Sequence, residues 1–198
     1  MKFKRIIISL YSIICVFGFI NAKQINPKDI SPYVFPNNLV KSIGHMHFMP
    51  DGTSYLGLSS NKKMIVQYET ESGLPIDTIL NTAKTRECTI DNINGYLISP
   101  DGSKLLVYND VSPIYRRSFE AQYYVFEIKR NILKPLSVNH KKQRSPLFSY
   151  DGRMVAFVSN NNIYIKKIDY DSEVAVTTDG KYNSIINGVP DWTYEEEF

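Results

Sequence analysis

The sequence is poor in the residues that build metal, nucleotide and redox sites. It has two cysteines, three histidines and one tryptophan in 198 residues. His45 and His47 fall on one side of an expected strand, but no cysteine or acid lies near them at ligand spacing, so we expect no metal there. No glycine-rich phosphate loop is present. We therefore expect no metal and no cofactor.

The sequence also lacks a serine nucleophile motif and a basic stripe. The nearest approach to Gly-x-Ser-x-Gly is Gly52–Leu56, which ends in leucine where the motif needs glycine. The net charge is only +3, and the basic cluster Lys141–Arg144 is interpreted as a solvated turn, so nucleic acid is not an expected partner. These 198 residues are therefore not expected to catalyse hydrolysis by themselves.

The N-terminus has the pattern of a secretory signal peptide. Basic residues in Met1–Arg5 precede the apolar run Ile6–Ile20, which is short for a membrane span of about twenty residues. Residues 1–22 are predicted to be the signal peptide, and the protein to be secreted or periplasmic. Because Ile20 is large for its place before the cleavage site, an uncleaved membrane anchor is the weaker alternative. The mature chain would keep one thiol, Cys88, interpreted as a buried structural cysteine.

A repeat of fifty residues follows a proline-containing extended lead-in at residues 23–40. Asp-Gly pairs recur at positions 51, 101 and 151, each between strand-like segments, and Asp-Gly in that setting predicts a hairpin. Each unit contains four such segments, which is typical of a β-propeller blade. The predicted fold is all-β: a partial β-propeller of about three four-stranded blades, at 41–90, 91–140 and 141–185. An unrelated meander or sandwich is the alternative.

Propellers close with about four to eight blades. About three blades would leave the ring open, so we expect the chain to be the N-terminal piece of a longer protein.

The last twelve residues, 187–198, hold the single tryptophan and three adjacent acids. One interpretation is a helix start, with Asp191 as its cap and acids near the positive end of the helix dipole. Another is a cation receptor, because a primary ammonium has three donors that two converging carboxylates satisfy well. The residues alone leave both interpretations open.

Residues 187–197, Asn-Gly-Val-Pro-Asp-Trp-Thr-Tyr-Glu-Glu-Glu, resemble the double-Glu motif of the dipeptidyl peptidase IV family of prolyl-oligopeptidase-like serine exopeptidases. The resemblance implies an eight-bladed propeller followed by an α/β-hydrolase domain, of which this chain covers only the N-terminal propeller portion. It also implies that Glu196 and Glu197 hold the free N-terminus of a peptide substrate. Phe198 stands where family members often have valine.

A second resemblance concerns Tyr115-Arg116-Arg117 and the residues after it. They are similar to the family segment in which an arginine contacts the substrate's backbone carbonyl, which implies that role for Arg116. Tyr115 replaces a common tryptophan and Arg117 a common histidine, so a slip of one residue would give Arg117 the role. A pair of exposed loop arginines is the alternative.

Together, these resemblances predict the substrate-anchoring part of a dipeptidyl peptidase IV-like serine peptidase that releases N-terminal Xaa-Pro or Xaa-Ala dipeptides. The expected partners are peptides with a free N-terminus and a C-terminal hydrolase domain, and the full-length parent is expected to form a homodimer. The alternatives are a prolyl tripeptidyl peptidase of the same family, a non-catalytic protein-binding propeller, and a broken gene whose product does not fold.

Overall fold

The computed structural model of the protein describes residues 45–197. The predicted signal peptide and lead-in therefore lie outside the described residues, and the domain boundaries stay predictions. Within residues 45–197, no helix is long and apolar enough to cross a membrane. In chain order, the elements are β1 (His47–Phe48), β2 (Ser54–Leu58), β3 (Met64–Glu69), β4 (Pro75–Asn81), β5 (Arg86–Glu87), β6 (Gly95–Ile98), β7 (Lys104–Pro113), β8 (Phe119–Glu127), β9 (Ile132–Pro135), β10 (Arg144–Phe148), β11 (Met154–Ser159), β12 (Asn162–Lys167), β13 (Ser172–Ala175) and α1 (Trp192–Glu196).

The strands form three sheets in which chain neighbours pair antiparallel. The first sheet has the order β1-β2-β3-β4, the second β5-β9-β8-β7-β6 and the third β10-β11-β12-β13. Each sheet thus contains a four-stranded meander, as the repeat predicted. The all-β, partial-propeller fold class is confirmed.

The Asp-Gly pairs make the turns between the first two strands of each meander. The three glycines adopt positive φ angles of 69°, 68° and 65°, at Gly52, Gly102 and Gly152. In the second turn, the Asp101 carboxylate accepts hydrogen bonds from the hydroxyls of Ser99 and Ser103, both at 2.6 Å. These bonds lower the pKa of Asp101 to about 2, and the bond from Ser103 has the largest effect. The hairpin turns predicted from the Asp-Gly pairs are therefore present, with glycine at the positive φ that each turn requires.

The middle sheet supplies both hydrophobic cores through the alternation of β7. Leu105 and Val107 face the first sheet, whereas Leu106 faces the third, and all three are 0% exposed. The first core also contains Leu56, Ile65, Leu80, Ile90, Ile93, Tyr96, Tyr124, Phe126 and Leu133. The second also contains Ala121, Tyr123, Val125, Leu136, Val155 and Phe157. Each core is shared between two sheets, so a single blade cannot bury its own apolar faces.

Strand β5 was not predicted. Its two residues follow the first meander in the chain but pair parallel with β9 of the middle sheet, Arg86 opposite Ile132 and Glu87 opposite Leu133. Next in the chain, Cys88 donates from Sγ to the Leu133 carbonyl at 3.1 Å. Cys88 is half-buried, and burial raises the pKa of its thiol. The connection between the first two blades is thereby fastened to the outer edge of the second.

The interpretation of Lys141–Arg144 as a solvated turn was wrong. Gln143 is 1% exposed. It exchanges backbone hydrogen bonds of 2.9 and 3.1 Å with Ala121, and its Oε1 accepts from the Tyr123 amide at 2.9 Å. Of the four residues, only Lys141 is exposed. The segment joins the second and third blades, because its polar groups complete the hydrogen bonding of buried backbone.

Candidate substrate-anchoring site

The end of β7 and the start of β8 form a two-stranded arm. The pairing continues beyond a register shift after Asn109, with Ser112 opposite Glu120. At the tip, the Ile114 amide donates to the Ser118 carbonyl at 2.9 Å. The tip carries Arg116, which the extended pairing holds out from the sheet.

The acidic stretch forms the short helix α1. Asp191 is its N-cap, and its Oδ1 accepts from the Thr193 amide at 2.9 Å. The helix start and its Asp191 cap are thereby confirmed, but of the three acids only Glu195 lies in the first turn, and Glu197 is the C-cap. The helix does not exclude the cation-receptor interpretation, because α1 and its C-cap fix the backbone that carries Glu195, Glu196 and Glu197.

The arm tip and α1 meet through two backbone donors. The Arg116 amide donates to Glu196 Oε2 at 2.8 Å, and the Arg117 amide donates to the Glu195 carbonyl at 3.0 Å. The Arg116 guanidinium lies near the same carboxylate, with 4.0 Å between Nε and Glu196 Oε1. Arg116 and Glu196, 80 residues apart in the chain, are therefore neighbours in the structure.

The three adjacent acids have different surroundings. Glu195 is 8% exposed and its Oε1 contacts the Arg144 guanidinium. The Glu196 side chain is 34% exposed, and Glu197 is exposed. Within residues 45–197, the Glu197 carboxylate has no hydrogen-bond or ion-pair partner. The carboxylates open to an incoming cation are therefore those of Glu196 and Glu197.

Arg144 is the site residue that the sequence analysis missed. It is the first residue of β10 and lies opposite Val158 of β11, with a side chain that is 17% exposed. Its partner Glu195 is 51 residues away in the chain. A buried acid requires a cation nearby, but no local pattern indicates which one.

Arg117 lines a cavity of about 490 Å³ to which neither Arg116 nor Glu196 contributes. First-strand residues of all three meanders line this cavity, together with the arm and α1: His47, Tyr96, Leu97, Ser145, Pro146, Phe119, Tyr194 and Glu195. The structure thus separates the two arginines of the arm, since only the Arg116 side chain lies beside a carboxylate that is open to solvent.

The two histidines predicted as plain strand residues border the same cavity. The His47 ring packs edge-on against Tyr96, with 5.0 Å between ring centroids. Burial, followed by the charge of His45, lowers the pKa of His47. Among residues 45–197, no three His, Cys, Asp or Glu side chains cluster as a metal site would require.

Comparisons with known proteins match this part of the chain. The family model "Dipeptidyl peptidase IV (DPP IV) N-terminal region" matches residues 99–198. Prolyl endopeptidase FAP of Homo sapiens is 32% identical over 146 residues, 74% of this chain and 19% of that protein. Probable dipeptidyl-aminopeptidase B of Aspergillus fumigatus is 39% identical over 101 residues, 50% of this chain and 11% of that protein.

A solved structure agrees with both sequence matches. The crystal structure of Porphyromonas gingivalis dipeptidyl peptidase 4 superposes with a TM-score of 0.75 at 44% identity, covering 79% of this chain and 22% of that one. The chain thus spans about a fifth or less of the length of these proteins.

Proposed function

Because the chain belongs to the dipeptidyl peptidase IV family, we propose that it forms the substrate-anchoring part of a serine peptidase that releases N-terminal Xaa-Pro or Xaa-Ala dipeptides. The observation that carries the proposal is the contact between Glu196 and the Arg116 arm, beside the exposed Glu197. Both acids lie in the segment that the family model matches.

The arrangement suits the free N-terminus of a peptide. A primary ammonium donates three hydrogen bonds and accepts none, and Glu196 and Glu197 offer acceptors on adjacent residues. Because the Arg116 amide already occupies Glu196 Oε2, this carboxylate is held in one orientation before the peptide arrives. Such preorganisation lowers the entropic cost of binding.

Arg116 provides the second contact. Its side chain is 65% exposed and a guanidinium carries five donors in a planar fork, so it can donate to a peptide carbonyl while it offsets the charge of Glu196. Two fixed contacts, to the amine and to the carbonyl, set how far the peptide extends from the site. Holding a peptide at a fixed distance from a nucleophile on another domain selects the bond to be cleaved, and this is catalysis by positioning.

A binding experiment on the 198-residue chain tests the proposal. We expect a Gly-Pro-Ala tripeptide with a free amine to bind at least about tenfold more tightly than its N-acetylated form, because acetylation removes the charge-assisted hydrogen bonds. Glu196→Gln and Glu197→Gln should each abolish this preference. Titration calorimetry gives the dissociation constants.

Two further variants sharpen the result. Glu127→Gln is the matched control, because Glu127 pairs with Arg130 within the same hairpin turn and should leave the preference unchanged. Arg116→Met should weaken both peptides to a similar degree, because the acetylated form keeps its carbonyls. Equal affinity of the wild-type chain for free and acetylated peptides would contradict the proposal.

The chain itself is expected to bind and not to cleave. Its sequence has no Gly-x-Ser-x-Gly, so incubation with Gly-Pro-p-nitroanilide should release no nitroaniline. When the chain is joined to an α/β-hydrolase domain, we expect the same site to contribute to the rate of cleavage. Glu196→Ala or Glu197→Ala should then lower kcat/KM about a hundredfold. A loss below about threefold would count against anchoring by these acids.

A further inference from the structure

The first acid of the triplet has a partner inside the protein. Glu195 is 8% exposed, and the Arg144 side chain that contacts it is 17% exposed. The contact is made between the terminal Nη2 of Arg144 and Glu195 Oε1, whereas Arg144 Nε is buried and has no hydrogen-bond partner within residues 45–197. The pair lies within the protein, beneath the surface that carries Glu196 and Glu197.

The position of α1 depends on contacts with its surroundings. The helix has five residues, and a helix of that length is not stable alone in water. The arm holds one side of it, through the Glu195 carbonyl and the Glu196 carboxylate. The Arg144–Glu195 pair ties it to the third sheet, because Arg144 begins β10.

The chain that leads to α1 rests on the same part of the third sheet. The Asn187 amide donates to the Asn161 carbonyl at 3.1 Å. A Cβ on Gly188 would lie only 2.6 Å from the Val158 side chain, and Val158 is the residue opposite Arg144. The backbone before α1 and the residue that carries the Arg144 guanidinium therefore both lie beside Val158 of β11.

We propose that Arg144 is a positioning residue for the ammonium site: by fixing Glu195, it sets the directions of Glu196 and Glu197. Successive residues of a helix point about 100° apart, and Glu197, the C-cap of α1, directly follows Glu196. With Glu195 held inward, Glu196 is turned to the arm and Glu197 to solvent, as observed. This inference rests on the proposed function, since it assigns a cause to the geometry of the same site.

Substitutions at both ends of the pair test this role. Arg144→Met leaves a buried carboxylate unpaired, so we expect a lower melting temperature and at least about tenfold weaker binding of free-amine Gly-Pro-Ala, measured where circular dichroism shows a folded chain. Arg144→Lys keeps the positive charge but lacks the planar, forked set of guanidinium donors, so it should recover part of the affinity. Arg153→Met is the matched control, because Arg153 pairs with Asp169 at 2.7 Å on the surface of the same sheet, and it should change neither value.

The double variant Arg144→Met/Glu195→Gln separates positioning from stability. It removes both charges, so no buried charge is left unpaired and the melting temperature should recover. The affinity should stay low, because the directional contact is still missing. Recovery of affinity along with stability, or wild-type affinity in Arg144→Met, would overturn the positioning role.

A readout without peptide keeps this inference separate from the proposed function. Trp192 is the single tryptophan of the chain and lies in α1, so its fluorescence anisotropy reports how firmly the helix is held. We expect the anisotropy to fall in Arg144→Met and to stay unchanged in Arg153→Met. If wild-type chain does not distinguish free from acetylated peptide, the proposed function fails; unchanged anisotropy in Arg144→Met overturns the positioning of α1.

Discussion

At the scale of single residues, the hydrogen bonds of Asp101 make stability depend on pH. Asp101 accepts from the Ser99 and Ser103 hydroxyls and from the Ser103 amide. These bonds favour its charged form and lower its pKa to about 2, from an ordinary value of about 3.9. Because the folded-state pKa is the lower one, the stabilisation is complete above about pH 4 and is lost as the pH falls toward 2.

We therefore predict that Asp101→Asn lowers the free energy of unfolding at pH 5 but flattens its decline between pH 4 and pH 2. Urea titrations across that range measure the effect. Asp91→Asn serves as the control, because Asp91 is exposed and its carboxylate has no hydrogen-bond partner within residues 45–197. Parallel pH profiles for wild type and Asp101→Asn would contradict the assignment.

The sequence predicted correctly those contacts that form between residues close to one another in the chain. Asp191 and its capping contact follow from residues adjacent in the chain, and so do the Asp-Gly turns. The proximity of Arg116 to Glu196 was expected only through resemblance. Arg144 was misread, because a basic residue in a lysine-rich stretch is usually solvated and its burial depends on an acid 51 residues away.

At the scale of elements, burial between sheets decides how much a strand leucine contributes to stability. Leu106 is 0% exposed in the core between the second and third sheets, whereas Leu147 of β10 is 71% exposed. We predict that Leu106→Ala costs about 2–5 kcal/mol of unfolding free energy, while Leu147→Ala changes it by less than about 0.5 kcal/mol.

Chemical denaturation measures both changes, and the two variants delete the same atoms from a strand. A similar cost at the two positions would mean that the core between these sheets does not support the fold.

Strand positions were predictable where apolar residues alternate beside a turn, and less so elsewhere. The arm continues β7 through Asn109 and Ser112, two polar residues that give no alternating apolar pattern. Its pairing is set by the opposite strand and not by burial. Strand β5 has only two residues, both charged. They show no alternation of apolar and polar residues, so the strand could not be predicted from the sequence and is recognised only by its pairing with β9.

At the scale of the whole molecule, the middle sheet couples the other two. Leu105 and Leu106 are neighbours on β7 but belong to different cores. We predict a single cooperative unfolding transition, in which Leu105→Ala and Leu106→Ala both lower the midpoint seen by far-ultraviolet circular dichroism and by Trp192 fluorescence. If the first sheet unfolded independently, Leu105→Ala would shift the dichroism without shifting the fluorescence.

The pairing of β5 with β9 has a consequence for how copies of the chain meet one another. It covers the outermost hydrogen-bonding groups of the middle sheet, whereas β4 and β13 are the last strands of their sheets within residues 45–197. Bare strand edges invite pairing with another chain. Self-association in concentrated solution should therefore begin at the β4 and β13 edges, where Ile76 and Val174 are more than half exposed, and not at the β9 side of the middle sheet.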